Sequence, residues 1–235
     1  MIPVAVLFCE TRRPTSGMAI PLVACEEADM AEVVSVRNLA FSYARVPVWE
    51  DVTFSLKEGE IAILVGANGS GKSTLLRCLA GWLRPSSGDI QVIAQGPRPQ
   101  VAFVCDVPAF YDDLTAKEHM ELLLRAGGIE GESAYATDLL RRLKLADALD
   151  RYPSAYSRGM RQKLALALAL VIRPRLLLLD EPYAPLDEEA THILDGDLTA
   201  AAGRGIAILM SCHASVSAVV ASQTLCLRDG RLERG

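Results

Sequence analysis

Paired cysteines, clustered histidines, long apolar runs and an excess of positive charge are all missing from this sequence. None of the six cysteines (Cys9, Cys25, Cys78, Cys105, Cys212 and Cys226) forms a C-x-x-C pair, and only three histidines are present. That leaves little for a metal site, and so dispersed a set in a chain of 235 residues argues against a disulfide framework. The cysteines read as reduced core thiols of a cytosolic protein. The formal net charge is −5. Phosphate neutralisation calls for a basic face, so no nucleic-acid partner is expected. The longest apolar run, residues 164–172, is bounded by Lys163 and Arg173. It falls well short of the ~20 residues that cross a bilayer. If the protein serves a membrane, another chain must supply the spans.

What is present is ample apolar material, 51% of the chain, enough for one large domain or two small ones. Residues 1–31 stand apart, with three prolines and little periodicity before Asp29. The stretch Ile20-Pro21-Leu22-Val23-Ala24-Cys25 faintly resembles a lipoprotein cleavage box, but its apolar part is very short and contains Pro21. The expectation is an extension that is disordered or not translated, with Met1, Met18 and Met30 as possible starts.

From residue 32 the patterning sharpens into a single domain, 32–235. Val34 and Val36, then Val52, Phe54 and Leu56, alternate with polar neighbours and predict half-buried antiparallel strands. The unbroken run 61–65 predicts a strand covered on both faces. A glycine-rich turn follows, then Leu75, Leu76 and Leu79 at helical spacing. Residues 112–149 are rich in helix formers, broken once by Gly127-Gly128, and predict a helical insertion; the whole helical subdomain is placed at about 107–172. A buried helix over 164–172 stops at Pro174. Runs at 176–179 and 206–210 predict two more buried strands, and 224–233 a terminal hairpin. Strands alternating with helices predict an α/β fold with a mainly parallel sheet, an antiparallel β subdomain and a helical subdomain.

Three groups of residues carry chemistry. Gly66-Ala67-Asn68-Gly69-Ser70-Gly71-Lys72-Ser73 fits G-x-x-x-x-G-K-[ST] between a buried strand and a helix, the context a phosphate-binding loop needs. Its glycines let successive N–H groups and the helix N-terminus face an anion. Lys72 then reaches the β and γ phosphates, and the Ser73 hydroxyl binds Mg²⁺. The run 176–179 ends in Asp180-Glu181-Pro182. A carboxylate there suits Mg²⁺, and Glu181 is placed to deprotonate a water for attack on the γ phosphate. His213 follows the third buried run and is read as a γ-phosphate contact. All three groups leave the carboxyl ends of parallel strands, where open α/β sheets bind ligands. The P-loop NTPase core is therefore the expected architecture, with ATP and Mg²⁺ as its ligands.

From 32 to 234 the set resembles the ATP-binding domain of ABC transporters. Residues 66–74, ending in Thr74, resemble its Walker A segment, and 176–181 its Walker B segment with the catalytic glutamate. Tyr43 matches the aromatic that stacks on adenine, although Phe41 shares its strand face and ordinary packing is an alternative. Ser157-Arg158-Gly159-Met160-Arg161-Gln162 resembles the family's signature, and Ala184-Pro185-Leu186-Asp187 its D-loop; His213 resembles its switch histidine. The resemblance implies a head-to-tail dimer, most simply a homodimer, with two ATPs between the subunits. Ser157 and Gly159 would bind the γ phosphate held by the other subunit's phosphate loop; a plain helix cap is the alternative for Ser157. It also implies a transmembrane permease subunit and a peripheral position on the cytoplasmic face of the cell membrane.

One position departs from the family. After the strand 101–104 the family usually has a glutamine that touches Mg²⁺, and here Asp106 stands there, while Gln100 lies at the strand's other end. Aspartate could ligate Mg²⁺, or its charge could oppose the γ phosphate. The segments 156–162 and 182–187 resemble exporter ATPases of the ABC-2 and haem-exporter types. The expected function is ATP hydrolysis that powers transport, with a lean to export. The alternatives are a non-transport ABC ATPase and a nucleotide-gated module with little turnover.

Overall fold

The structure, a computed structural model, describes residues 31–93, 100–128, 134–212 and 219–234. His213 and the extension up to residue 30 lie outside these residues. Two sheets organise the chain. Strands β1 (Glu32–Tyr43), β2 (Val46–Lys57) and β4 (Ser87–Val92) form an antiparallel sheet in the order β2-β1-β4. Strands β3 (Ile61–Val65), β5 (Val101–Val104), β6 (Leu176–Asp180), β7 (Ala207–Ser211), β8 (Gln223–Arg228) and β9 (Arg231–Arg234) form a second sheet in the order β5-β6-β7-β3-β8-β9. It is parallel from β5 to β8, and β9 closes it antiparallel on β8. The runs read as buried strands stand as β3, β6 and β7. β4 was not foreseen: only Ile90 and Val92 of that edge strand are partly buried, so it lacks the alternation that marks a half-buried strand.

The continuous apolar runs have a direct cause, because the second sheet is covered on both faces. Leu176 and Leu178 of β6 pack with Ala207 and Leu209 of β7, with Leu75 and Leu76 of helix α1 (Lys72–Leu79), and with the antiparallel sheet. Leu177 and Leu179, one residue out of step, face the other way. There they join Ile208 and Met210 and the helices α2 (Ala116–Ala126), α3 (Ala134–Arg142), α4 (Arg158–Val171) and α5 (Glu188–Ala202). Period-two geometry thus divides one sheet between two cores.

The link from β5 to α2 is held by a buried histidine. Thr115 caps α2 in a capping box with Glu118. His119, fully buried, accepts the Tyr111 N–H on Nε2 at 2.9 Å, so its proton sits on Nδ1 and is donated to the Thr115 carbonyl at 2.8 Å. Burial pushes its pKa below the ordinary histidine value. A histidine kept neutral in the fold but free to protonate when unfolded stabilises fully above the unfolded pKa of about 6.5, and loses that contribution as pH falls below it. Stability should therefore drop between pH 7.5 and 5.5, by at most about 1.4 kcal/mol per pH unit from this one group. His119→Asn should flatten that part of the profile in urea titrations. An identical slope in the variant would exclude His119 as the source.

Candidate active site

The loop between β3 and α1 is shaped by crowding. Gly71 has φ 98° and caps α1 without a side-chain hydrogen bond. A Cβ there would lie 2.6 Å from Val48 Cγ1 and 2.7 Å from Trp49 Cδ1, so both the conformation and the space demand glycine. Trp49 Nε1 donates to the Gly71 carbonyl at 3.4 Å and ties this turn to the antiparallel sheet. Gly66, Asn68 and Gly69 complete the turn around Ala67, and Ser73 and Thr74 open α1 behind Lys72. Lys72 is only 6% exposed, and its Nζ donates to the carbonyls of Gly66 at 2.8 Å and Ala67 at 3.2 Å. The Ser70 hydroxyl is buried and has no hydrogen-bond partner among the described residues. A pre-placed ammonium, an unmet hydroxyl and the N-terminus of α1 fit a phosphate chain.

The acidic pair leaves the end of β6. Asp180 is 2% exposed, and its Oδ1 accepts the Ser211 hydroxyl at 2.7 Å. The same Ser211 oxygen accepts the Glu181 N–H at 2.9 Å. One buried hydroxyl on β7 thus fixes the Asp180 carboxylate and the backbone of Glu181, whose φ of 48° is unusual for a non-glycine residue. Sequence reasoning missed Ser211; its only signal was a polar residue closing an apolar strand. Ser211→Ala would take this donor from the buried Asp180 carboxylate and this acceptor from the Glu181 N–H. The expected cost is about 2 kcal/mol of stability, with about tenfold slower ATP turnover. Chemical denaturation and a phosphate-release assay read the two effects, and a change under 0.5 kcal/mol would remove Ser211 from this role.

Helix α1 packs on β6; Ser73 follows β3 and Asp180 ends β6, so both come after the carboxyl ends of strands that run parallel in one sheet. Hydroxyl and carboxylate oxygens are the hard donors that Mg²⁺ prefers. No cluster of three acidic, histidine or cysteine ligands occurs among the described residues. Asp106 does not join Asp180 by any hydrogen bond among those residues; its Oδ1 accepts from Arg158 Nη2 at 2.8 Å. Tyr43 is half-exposed, meets Phe41 edge-on at 4.8 Å, and brings its hydroxyl to 3.5 Å from the Thr74 hydroxyl. It therefore combines a packed edge with a ring near the mouth of the phosphate loop.

The remaining predicted residues form a separate surface. Ser157 is exposed and caps α4, accepting the Met160 N–H at 3.2 Å. A Cβ on Gly159 would come within 2.9 Å of the Pro185 carbonyl oxygen, so the segment before α5 can lie directly on the start of α4. Asp187 caps α5 by accepting the Ala190 N–H, and its other oxygen accepts Lys163 Nζ at 2.8 Å. The Lys163 ammonium, then the Ala190 amide, hold the Asp187 carboxyl below the ordinary aspartate range. The starts of α4 and α5 are thereby joined into one face. No hydrogen bond among the described residues links Ser157 to the 66–71 loop. Beside this face, Arg77, Trp82, Leu83, Cys105, Asp106 and Val107 line an open cavity of about 390 Å³.

Comparison with known proteins bears on the fold and the family. The family model described as ABC transporter matches residues 49–184. The chain is 33% identical over 190 residues to the ABC-type transporter ATP-binding protein EcsA of Bacillus subtilis, covering 77% of each chain. It is 32% identical to the SkfA peptide export ATP-binding protein SkfE of the same organism, covering 86% of this chain and 87% of that one. A solved ATP-binding subunit of an ABC transporter superposes with a TM-score of 0.76 at 31% identity, over 86% of this chain and 89% of the other. With the family model matched over more than half of the chain and relatives above 30% identity over most of its length, the chain belongs to the ABC transporter family as an ATP-binding ATPase subunit.

Proposed function

We propose that two copies of the chain clasp ATP between them and drive an export-type transporter whose membrane-spanning part is a separate subunit. The observation that carries this reading is the exposed α4 N-terminus at Ser157. A helix N-terminus is an anion site, and this one is presented to solvent on a face braced by Lys163 and Asp187. A second copy's γ phosphate would complete it.

Within one copy, Lys72 holds the β and γ phosphates and Tyr43 stacks on the adenine. Ser73 and Asp180 would hold Mg²⁺, which when bound neutralises charge on the phosphates. Glu181 orients a water and takes its proton as the oxygen attacks the γ phosphorus; the bond to the bridging oxygen breaks and ADP leaves. His213 is assigned a contact to the γ phosphate. Ser157 and Gly159, with Asp187 alongside, come from the other copy.

No helix among the described residues is long and apolar enough to cross a membrane. A partner would therefore supply the spans, with this chain peripheral on the cytoplasmic side. The cavity between Trp82 and Val107 suits docking, since both side chains are exposed apolar groups beside the charges of Arg77 and Asp106. The lean to export rests on the 156–162 and 182–187 segments.

A site completed by a second copy makes activity depend on concentration. Turnover per chain should rise with protein concentration and level off once dimers dominate. Turnover per chain that stays constant over a hundredfold dilution, while scattering reports monomers, would overturn the two-copy reading.

A further inference from the structure

Past the end of β5 the chain turns through Cys105 to Asp106, and there it meets α4. Asp106 Oδ1 and Arg158 Nη2 are 2.8 Å apart, across 52 residues of sequence. Arg158 is the first residue of α4, between Ser157 and Gly159. Asp106 also lines the cavity formed with Trp82 and Val107. One carboxylate therefore touches the proposed docking cavity on one side and the Ser157 turn on the other.

The electrostatics of this corner are specific. The first turn of α4 carries no acidic residue and begins with a cation, an arrangement the helix dipole disfavours. Asp106 supplies the missing negative charge from another segment. Arg158 in turn cancels the charge of Asp106, which alone would repel a phosphate arriving at Ser157. Each residue is useful only with the other.

We propose that Asp106 is a positioning residue: its ion pair with Arg158 holds the Ser157–Gly159 turn in the pose that receives the second copy's nucleotide. The inference rests on the two-copy reading above. It gives Asp106 a role different from that of a Mg²⁺ ligand, because the carboxylate is engaged by a guanidinium.

The test uses the full chain carrying Glu181→Gln, with ATP and Mg²⁺, and measures self-association by analytical ultracentrifugation. Nucleotide affinity of the monomer is measured separately at high dilution with a fluorescent ATP analogue. Asp106→Asn should weaken association about threefold, the scale of an exposed ion pair. Arg158→Gln should weaken it more, about tenfold, because it leaves an unpaired carboxylate beside an anion site. The double variant should recover to the level of Asp106→Asn, a non-additivity that a general loss of structure would not produce. These differences should shrink at 0.5 M salt. Monomer affinity should stay constant, and Arg125→Gln, which removes another exposed ion pair on α2, should change nothing.

Additive losses, or no recovery in the double variant, would overturn the inference and assign Arg158 a direct nucleotide contact. Weaker monomer affinity in Asp106→Asn would overturn it in favour of Mg²⁺ binding. If the parent chain stays monomeric with ATP, the two-copy reading fails and takes this inference with it. If the parent dimerises, only the inference is at stake.

Discussion

Glu181→Gln should slow ATP turnover by about 10²–10⁴-fold, the usual contribution of a positioned general base, while ATP still binds. The substitution keeps the shape of the side chain and removes its ability to take a proton. The backbone of residue 181 should not move, because its N–H is held by Ser211 and not by its own side chain. Folding stability should therefore stay within about 0.5 kcal/mol of the parent. Unhydrolysed ATP would persist, so the variant should accumulate as a dimer on size-exclusion chromatography with ATP and Mg²⁺. Near-normal phosphate release would remove Glu181 as the base and point to another group at the same sheet edge.

Lys72→Ala should weaken ATP binding by about a hundredfold. Hydrogen bonds to charged groups contribute about 1.5–3 kcal/mol each, and the ammonium can make more than one to a phosphate chain. The amine already rests in the loop, 2.8 Å from the Gly66 carbonyl, so ATP meets a cation that needs little rearrangement. Its removal also strips a donor from two carbonyls, and a small loss of thermal stability should accompany the binding defect. Titration calorimetry separates the two effects. Unchanged ATP affinity in a folded variant would refute the role of Lys72.

Legibility followed burial. The runs at 61–65 and 176–179 could be read because a strand covered on both faces must be apolar at every position, and both were also bounded by chemistry-bearing turns. The phosphate loop was legible because Gly71 and Lys72 are dictated by backbone conformation and charge. β4 was not, since an edge strand with three exposed residues at its start has no period to detect. Ser211 escaped because a serine at the end of a strand looks like any other until its neighbours in β6 are known. The pairing of Asp106 with Arg158 spans segments that no local pattern connects. Sequence alone marked Asp106 as a departure, and only the folded chain gave its partner.

The alternation along β6 has a further consequence. Leu177 and Leu178 are consecutive, yet each belongs to a different half of the molecule. Truncating one would loosen the packing under the helices, and truncating the other the packing under the antiparallel sheet. Asp180 and Glu181 sit where the two halves end together. The sheet thus behaves as a shared wall, and the chemistry stands on its rim, where softening of either room would be felt.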